Sequence, residues 1–274
     1  MIASSDLHWA RPEEANGTGA LVLAGSSGRV EVARADLLAG RGVTALAVRW
    51  FGGEGQPAVP REIPLETFTR AIDLLAEECD RIVLIGLSYG AEAALLTATV
   101  DDRVDAVVAL APTDVVWEGQ HEHDDDPRRS KWTHAGRSVP FVPLDRTWEP
   151  PQILPAYVEL YERSRELAGS EVVEAATIPV ERFRGDLVLV VGGDDKVWPS
   201  VRAARSIAAR RARAGLATVV IEDPRAGHPV VLPGETPPDP SRPYQVGGDE
   251  DAPQRLGALA WPAIQRALRV ERGQ

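Results

Sequence analysis

Short apolar runs bounded by glycine or charge alternate along this chain with longer stretches in which apolar residues recur every three or four positions. The runs near Gly19–Ala24, Val43–Arg49, Arg81–Gly86, Val104–Ala111, Asp186–Val191 and Ala217–Glu222 predict strands. Several are near-continuous Val, Leu, Ile and Ala, the composition of strands covered on both faces. Between them the spacing predicts helices at Val30–Ala39, Leu65–Cys79, Tyr89–Val100 and Ser200–Ala214, with a last one at Pro253–Val270. Leu65, Phe68, Ile72, Leu75 and Ala76 mark the clearest helical stripe. Strand and helix in alternation imply an α/β architecture, a mostly parallel sheet flanked by helices.

The alternation stops after Ala111 and resumes at Asp186. Residues 113–184 hold seven of the 22 prolines and three of the seven tryptophans, Trp117, Trp132 and Trp148, with a helix expected near Ala156–Leu167. An interval this long without strands reads as a cap region inserted into a single domain spanning 1–274, placed to shape a binding site. Pro233–Asp251, rich in Pro, Gly and Asp, reads as a long surface loop.

Chemistry enters at Ile85-Gly86-Leu87-Ser88-Tyr89-Gly90, a G-x-S-x-G sequence standing between a predicted strand and a predicted helix. That setting lifts a serine hydroxyl onto a sharp turn, where it can act as a nucleophile if a base is supplied. His228 lies in the loop beyond the last strand and Asp195 at the carboxyl end of the strand before it. The chain order Ser, Asp, His is that of an α/β-hydrolase fold, and it nominates Ser88, Asp195 and His228 as the catalytic set. Asp194 competes with Asp195 for the acid role; the spacing from the glycines favours Asp195. An oxyanion hole would draw one donor from the Tyr89 amide and another from the loop around Ser26 and Ser27. Trp50, Phe51 and Trp198 follow strand ends on the same side of the sheet and are candidates for substrate contact. His121-Glu122-His123-Asp124-Asp125-Asp126 has metal-ligand residue types, yet an i, i+2 pair in an acidic loop lacks the constraint of a metal site, so no metal is expected.

Charge narrows the class. Thirty basic against 41 acidic residues give a net charge of −11, which argues against a nucleic-acid partner. Lys131 and Lys196 are the only lysines. The single cysteine, Cys79, excludes an internal disulfide and has acidic neighbours that disfavour a thiolate. Met1–Glu14 has no apolar centre, and no apolar stretch approaches the ~20 residues that span a bilayer. A cytoplasmic enzyme without cofactor or membrane partner is the expectation, acting on a small molecule.

Taken together, Leu37–Val43, the Gly86–Gly90 turn, Ser130-Lys131-Trp132-Thr133, Val139–Pro143, Gly192–Pro199 and Ala226-Gly227-His228 resemble the catalytic domain of the acyl-CoA thioesterase and bile acid-CoA:amino acid N-acyltransferase family. The resemblance implies hydrolysis or transfer of an acyl group from a thioester by a Ser/Cys, Asp, His triad, here Ser88, Asp195 and His228. Compared with that family, the sequence shows no counterpart of the N-terminal β-sandwich of the animal members and has a shorter loop at Ser26-Ser27. It also carries serine where the amine-transferring members resemble one another in using cysteine, which tilts the expectation toward hydrolysis. Gly234-Glu235-Thr236 and Ala260-Trp261-Pro262 are also similar to dienelactone-hydrolase relatives. A small ester or lactone is therefore an alternative substrate, acyl transfer to an amine or alcohol a second alternative, and a catalytically idle binding protein a third.

Overall fold

The computed structural model describes residues 2–123, 125–237 and 242–270. Its strands, in chain order, are β1 (Leu7–Ala10), β2 (Thr18–Leu23), β3 (Thr44–Val48), β4 (Ile63–Pro64), β5 (Arg81–Leu87), β6 (Val104–Leu110), β7 (Trp132–His134), β8 (Arg137–Ser138), β9 (Asp186–Gly192) and β10 (Val219–Asp223). Its helices are α1 (Val32–Ala39), α2 (Glu66–Ala76), α3 (Tyr89–Ala98), α4 (Val158–Ala175), α5 (Ser200–Arg213) and α6 (Ala252–Ala267). Seven strands form one sheet in the order β1-β3-β2-β5-β6-β9-β10, all parallel except the antiparallel edge strand β1. The six strands expected from the apolar runs are β2, β3, β5, β6, β9 and β10.

The sheet has two apolar faces, which explains why its central strands read as unbroken runs. Along β2 the side chains alternate: Leu21 and Leu23 join Phe68, Ile72 and Leu75 of α2, Leu95 of α3 and Ile207 of α5 on one face. Ala20 and Val22 join Ala35 and Leu38 of α1 and Leu256, Ala260 and Ile264 of α6 on the other. The larger residues face the side with more helices, and small ones let α1 and α6 approach. Polar ties fix α6 in place: Asn16 Nδ2 and Thr18 Oγ1 donate to the Leu268 carbonyl, and Arg81 Nε to that of Ala267.

Two expectations need correction. The interval between β6 and β9 is not free of strands, because β7 and β8 pair within it and β7 also pairs in parallel with β4 (Ile63 opposite Trp132). Strands of two or three residues are too short to print a period on the sequence. The helix expected near Ala156–Leu167 continues to Ala175, bent where Gly169 takes φ 75°, ψ 166°. β1 also lies outside the pattern; three of its four residues are only half-buried at the sheet edge. None of the helices, among the described residues, is long and apolar enough to cross a membrane.

Candidate active site

Ser88 occupies the turn between β5 and α3 with φ 57°, ψ −118°, a conformation that a side chain-bearing residue adopts only under constraint. The constraint comes from close packing on both sides. A Cβ on Gly86 would overlap the Gly90 carbonyl, and one on Gly90 would overlap the carbonyls of Leu23 and Ala24 at the end of β2. The Ser88 N–H donates to the Leu110 carbonyl of β6 (2.9 Å), anchoring the turn to the neighbouring strand. Tyr89 opens α3, so its N–H has no carbonyl one turn back to bond.

Asp195 follows β9 and is held by four donors. Its Oδ1 accepts from the Val197 amide (2.8 Å) and the Trp198 amide (3.2 Å), and its Oδ2 from the Ser200 hydroxyl (2.8 Å). The fourth is His228 Nδ1, 2.9 Å from Oδ2 and 3.1 Å from Oδ1. A carboxylate only accepts here, so Nδ1 carries the proton and Nε2 is left with its lone pair. Asp194 turns elsewhere: it accepts from the Gly248 amide (2.8 Å) and pairs with Lys196 (2.7 Å). Gly248's hydrogen bond and the Lys196 contact hold its carboxyl below the ordinary value of 3.8.

The structure brings Ser88 and His228 to one cavity of about 340 Å³, lined also by Gly25, Ser26, Ser27 and Tyr244. Gly25 is pressed against the nucleophile turn, since a Cβ there would lie 3.2 Å from Ser88 Cβ. The cavity wall is braced by Arg34 of α1, whose Nε and Nη2 donate to Glu235 at 2.5 and 3.0 Å, while the Leu232 amide donates to the same carboxylate at 2.8 Å. Arg34 thereby fixes the stretch that follows His228.

The aromatic candidates are not in that lining. Trp50 packs against Phe51 (ring centroids 4.6 Å), Trp132 (5.1 Å) and Phe68 (6.0 Å), in the core beside α2. Trp198 donates its Nε1 hydrogen to the Ala111 carbonyl (2.9 Å) and sets its ring 6.1 Å from that of His228, so it touches the base rather than the cavity. The described residues of 113–184 contribute nothing to the lining either. What reasoning from sequence missed is the return segment Tyr244–Gly248. The Val246 carbonyl accepts from the His228 amide (2.8 Å), and Ala226 pairs with Gly248, so this part of the stretch expected as a surface loop supports the base. Residues 238–241 of that stretch lie outside the described residues, as does Asp124 of the His121–Asp126 run. In that run the Asp126 carboxylate accepts from Arg61 and from the backbone of Glu122 and His123. No cluster of three or more metal-ligating side chains occurs among the described residues.

A parallel sheet with an antiparallel edge, a serine on a strained strand-to-helix turn after β5, and an Asp–His pair carried beyond β9 and β10 define an α/β-hydrolase. Solved structures with this fold include a putative dienelactone hydrolase from Klebsiella pneumoniae (TM-score 0.57, 14% identity, 97% of this chain and 92% of that one). Another is the acylaminoacyl peptidase of Pyrococcus horikoshii (TM-score 0.56, 11% identity, 98% of this chain and 40% of that one). Within that class the chain belongs to the BAAT / acyl-CoA thioester hydrolase C-terminal family, which matches residues 63–239. Among its relatives are human acyl-coenzyme A thioesterase 6, 28% identical over 93% of this chain, and mouse acyl-coenzyme A amino acid N-acyltransferase 2, 26% identical over 92%. The aligned region spans 60% and 59% of those two proteins.

Proposed function

We propose that this chain is a serine hydrolase that cleaves acyl thioesters through an acyl-enzyme on Ser88. In this reading His228 Nε2 takes the Ser88 proton as Oγ attacks the thioester carbonyl, and Asp195 holds the imidazole tautomer and balances the imidazolium. The Tyr89 amide and the Gly25–Ser27 loop receive the oxyanion. Collapse of the tetrahedral adduct expels the thiolate, which takes its proton from His228; water, activated by the same imidazole, then releases the carboxylic acid and restores Ser88. The observation that carries the reading is the His228–Asp195 hydrogen bond beside a cavity that Ser88 shares. Residues 113–184 form an insertion within one α/β-hydrolase domain, and their packing under α2 and α3 makes them a brace for the nucleophile turn.

The decisive experiment is a panel of acyl-CoAs, matched oxyesters and a lactone, run with and without glycine as an amine acceptor. Thioester cleavage to free acid is expected to dominate. Ser88→Ala should lower turnover by about 10⁶-fold. Retention of activity by Ser88→Ala removes the nucleophile assignment. Preferential oxyester or lactone cleavage, or acyl-glycine as the main product, replaces the thioester-hydrolase reading with one of its relatives' chemistries.

A further inference from the structure

One turn beyond Ser88, Glu92 of α3 is wholly buried, and so is the ammonium of Lys131, 2.6 Å from its Oε2. The other carboxylate oxygen accepts from Trp132 Nε1 (2.8 Å) and from the Trp117 amide (3.2 Å). Glu92 is bonded to the nucleophile turn through its backbone, its N–H donating to the Ser88 carbonyl (3.1 Å). Lys131 Nζ also lies 3.6 Å from the centroid of the Tyr89 ring, on its face. The far end of that ring is held as well, the Tyr89 and Tyr161 hydroxyls lying 3.1 Å apart, with the Trp198 ring at 5.7 Å. A side chain gripped on its face and at its tip is left with one rotamer.

Core filling alone does not account for this pair. Well-packed apolar residues of similar volume usually replace a buried ion pair without loss of stability. The residue type is informative too. Lys131 is one of only two lysines among 30 basic residues, and its compact ammonium meets the Glu92 carboxylate and the Tyr89 ring face at once.

We propose that Lys131 and Glu92 are positioning residues for the oxyanion-binding side of the nucleophile turn: the pair clamps the Tyr89 ring so that the Tyr89 amide is fixed where the oxyanion forms. The proposal rests on the reading of Ser88 as nucleophile. It also gives the inserted segment, which supplies Lys131, Trp132 and Tyr161, a role in catalysis at a distance from the cavity.

The test is the second-order rate at which a fluorophosphonate labels Ser88, measured at a temperature where near-UV circular dichroism shows each protein folded. This probe needs no knowledge of the natural substrate, and its phosphoryl oxygen occupies the oxyanion position. In Lys131→Met/Glu92→Gln both charges vanish while size is kept. Labelling should slow by about 10- to 100-fold, the range expected when a catalytic group is displaced by a fraction of an ångström to one ångström. For any thioester the wild type turns over, kcat should fall in parallel with KM nearly unchanged; a merely structural pair would shift the unfolding midpoint and leave the folded enzyme's rate alone. A folded double variant that labels within about twofold of wild type overturns the proposal. Should that variant not fold, Tyr161→Phe carries the test, because it deletes one oxygen from the clamp. Labelling about threefold slower or worse supports the clamp, and an unchanged rate overturns it. Failure of the underlying reading looks different: either the wild type does not label, or Ser88→Ala labels as fast.

Discussion

At Ser88 the backbone is held in a region that suits a turn tip and little else, and the glycines at positions 86 and 90 are what allow it. Gly86→Ala sets a methyl group on the carbonyl of Gly90, and neither the strand nor the helix can withdraw without breaking its ladder. Such overpacking should cost about 3 kcal/mol, read from urea unfolding, and abolish Ser88 labelling in whatever fraction remains folded. A folded, fully labelled variant would mean that the turn has room for a methyl group at position 86. The residues that meet at this site were legible because each is tied to a strand end. Ser88 is marked by flanking glycines, and Asp195 and His228 follow apolar runs in the expected order. Of the two acids, Asp195 is the one whose carboxylate accepts from His228. Lys131 and Glu92 were not legible, because a charged residue on a helix or beside a tryptophan reads as a solvated face until the packing around it is known. The cues to Lys131 were the scarcity of lysine and its place in Ser130-Lys131-Trp132-Thr133.

Among the elements, α4 departs most from what its sequence suggests. It runs past its expected end at Leu167 because Gly169 turns the chain and lets a second helical segment follow. Nothing stands within 4 Å of where a Cβ on Gly169 would sit, so the demand for glycine is purely torsional. Gly169→Ala should therefore lower stability by about 1–3 kcal/mol in chemical denaturation without altering the catalytic cavity; a neutral result would mean that α4 runs straight. The strands of the large sheet were readable because burial on both faces demands long apolar runs. β4, β7 and β8 were not, since their pairing is set by tertiary contacts around Trp132 rather than by any local period. Cys79, between α2 and β5, follows its surroundings: burial pushes the thiol up, with Glu78 and Asp80 acting in the same direction.

The whole molecule depends on carboxylates that hold separate parts of the chain together. The hydrogen bond from Arg255 keeps Asp223, at the end of β10, below its ordinary value, linking that strand to α6. Burial alone would raise Asp101, yet bonds from the Arg103 side chain and backbone bring it below the ordinary value too, a local pair that Arg103 extends to Asp73 of α2. Asp194, depressed chiefly by the Gly248 amide, holds the segment that supports His228. For each of these groups the folded pKa lies below the unfolded one. Their contribution is complete above the unfolded value of 3.8 and is lost as pH falls through the folded values. The unfolding midpoint should thus be insensitive to these groups near neutrality and decline once the pH drops below 3.8. Thermal scans across that range test this, and a midpoint unchanged into stronger acid would contradict it.

The manner in which α6 covers the sheet has a consequence for biosynthesis. Leu256, Ala260 and Ile264 lie over strands that leave the ribosome much earlier, and α6 is joined to the starts of β2 and β5 by Asn16, Thr18 and Arg81. The part of that face that α1 does not cover therefore stays wet until translation has passed Ala267, and during that wait Val83, Ile85 and Val108 lack the cover of α6 and are open to chaperones or to neighbouring nascent chains.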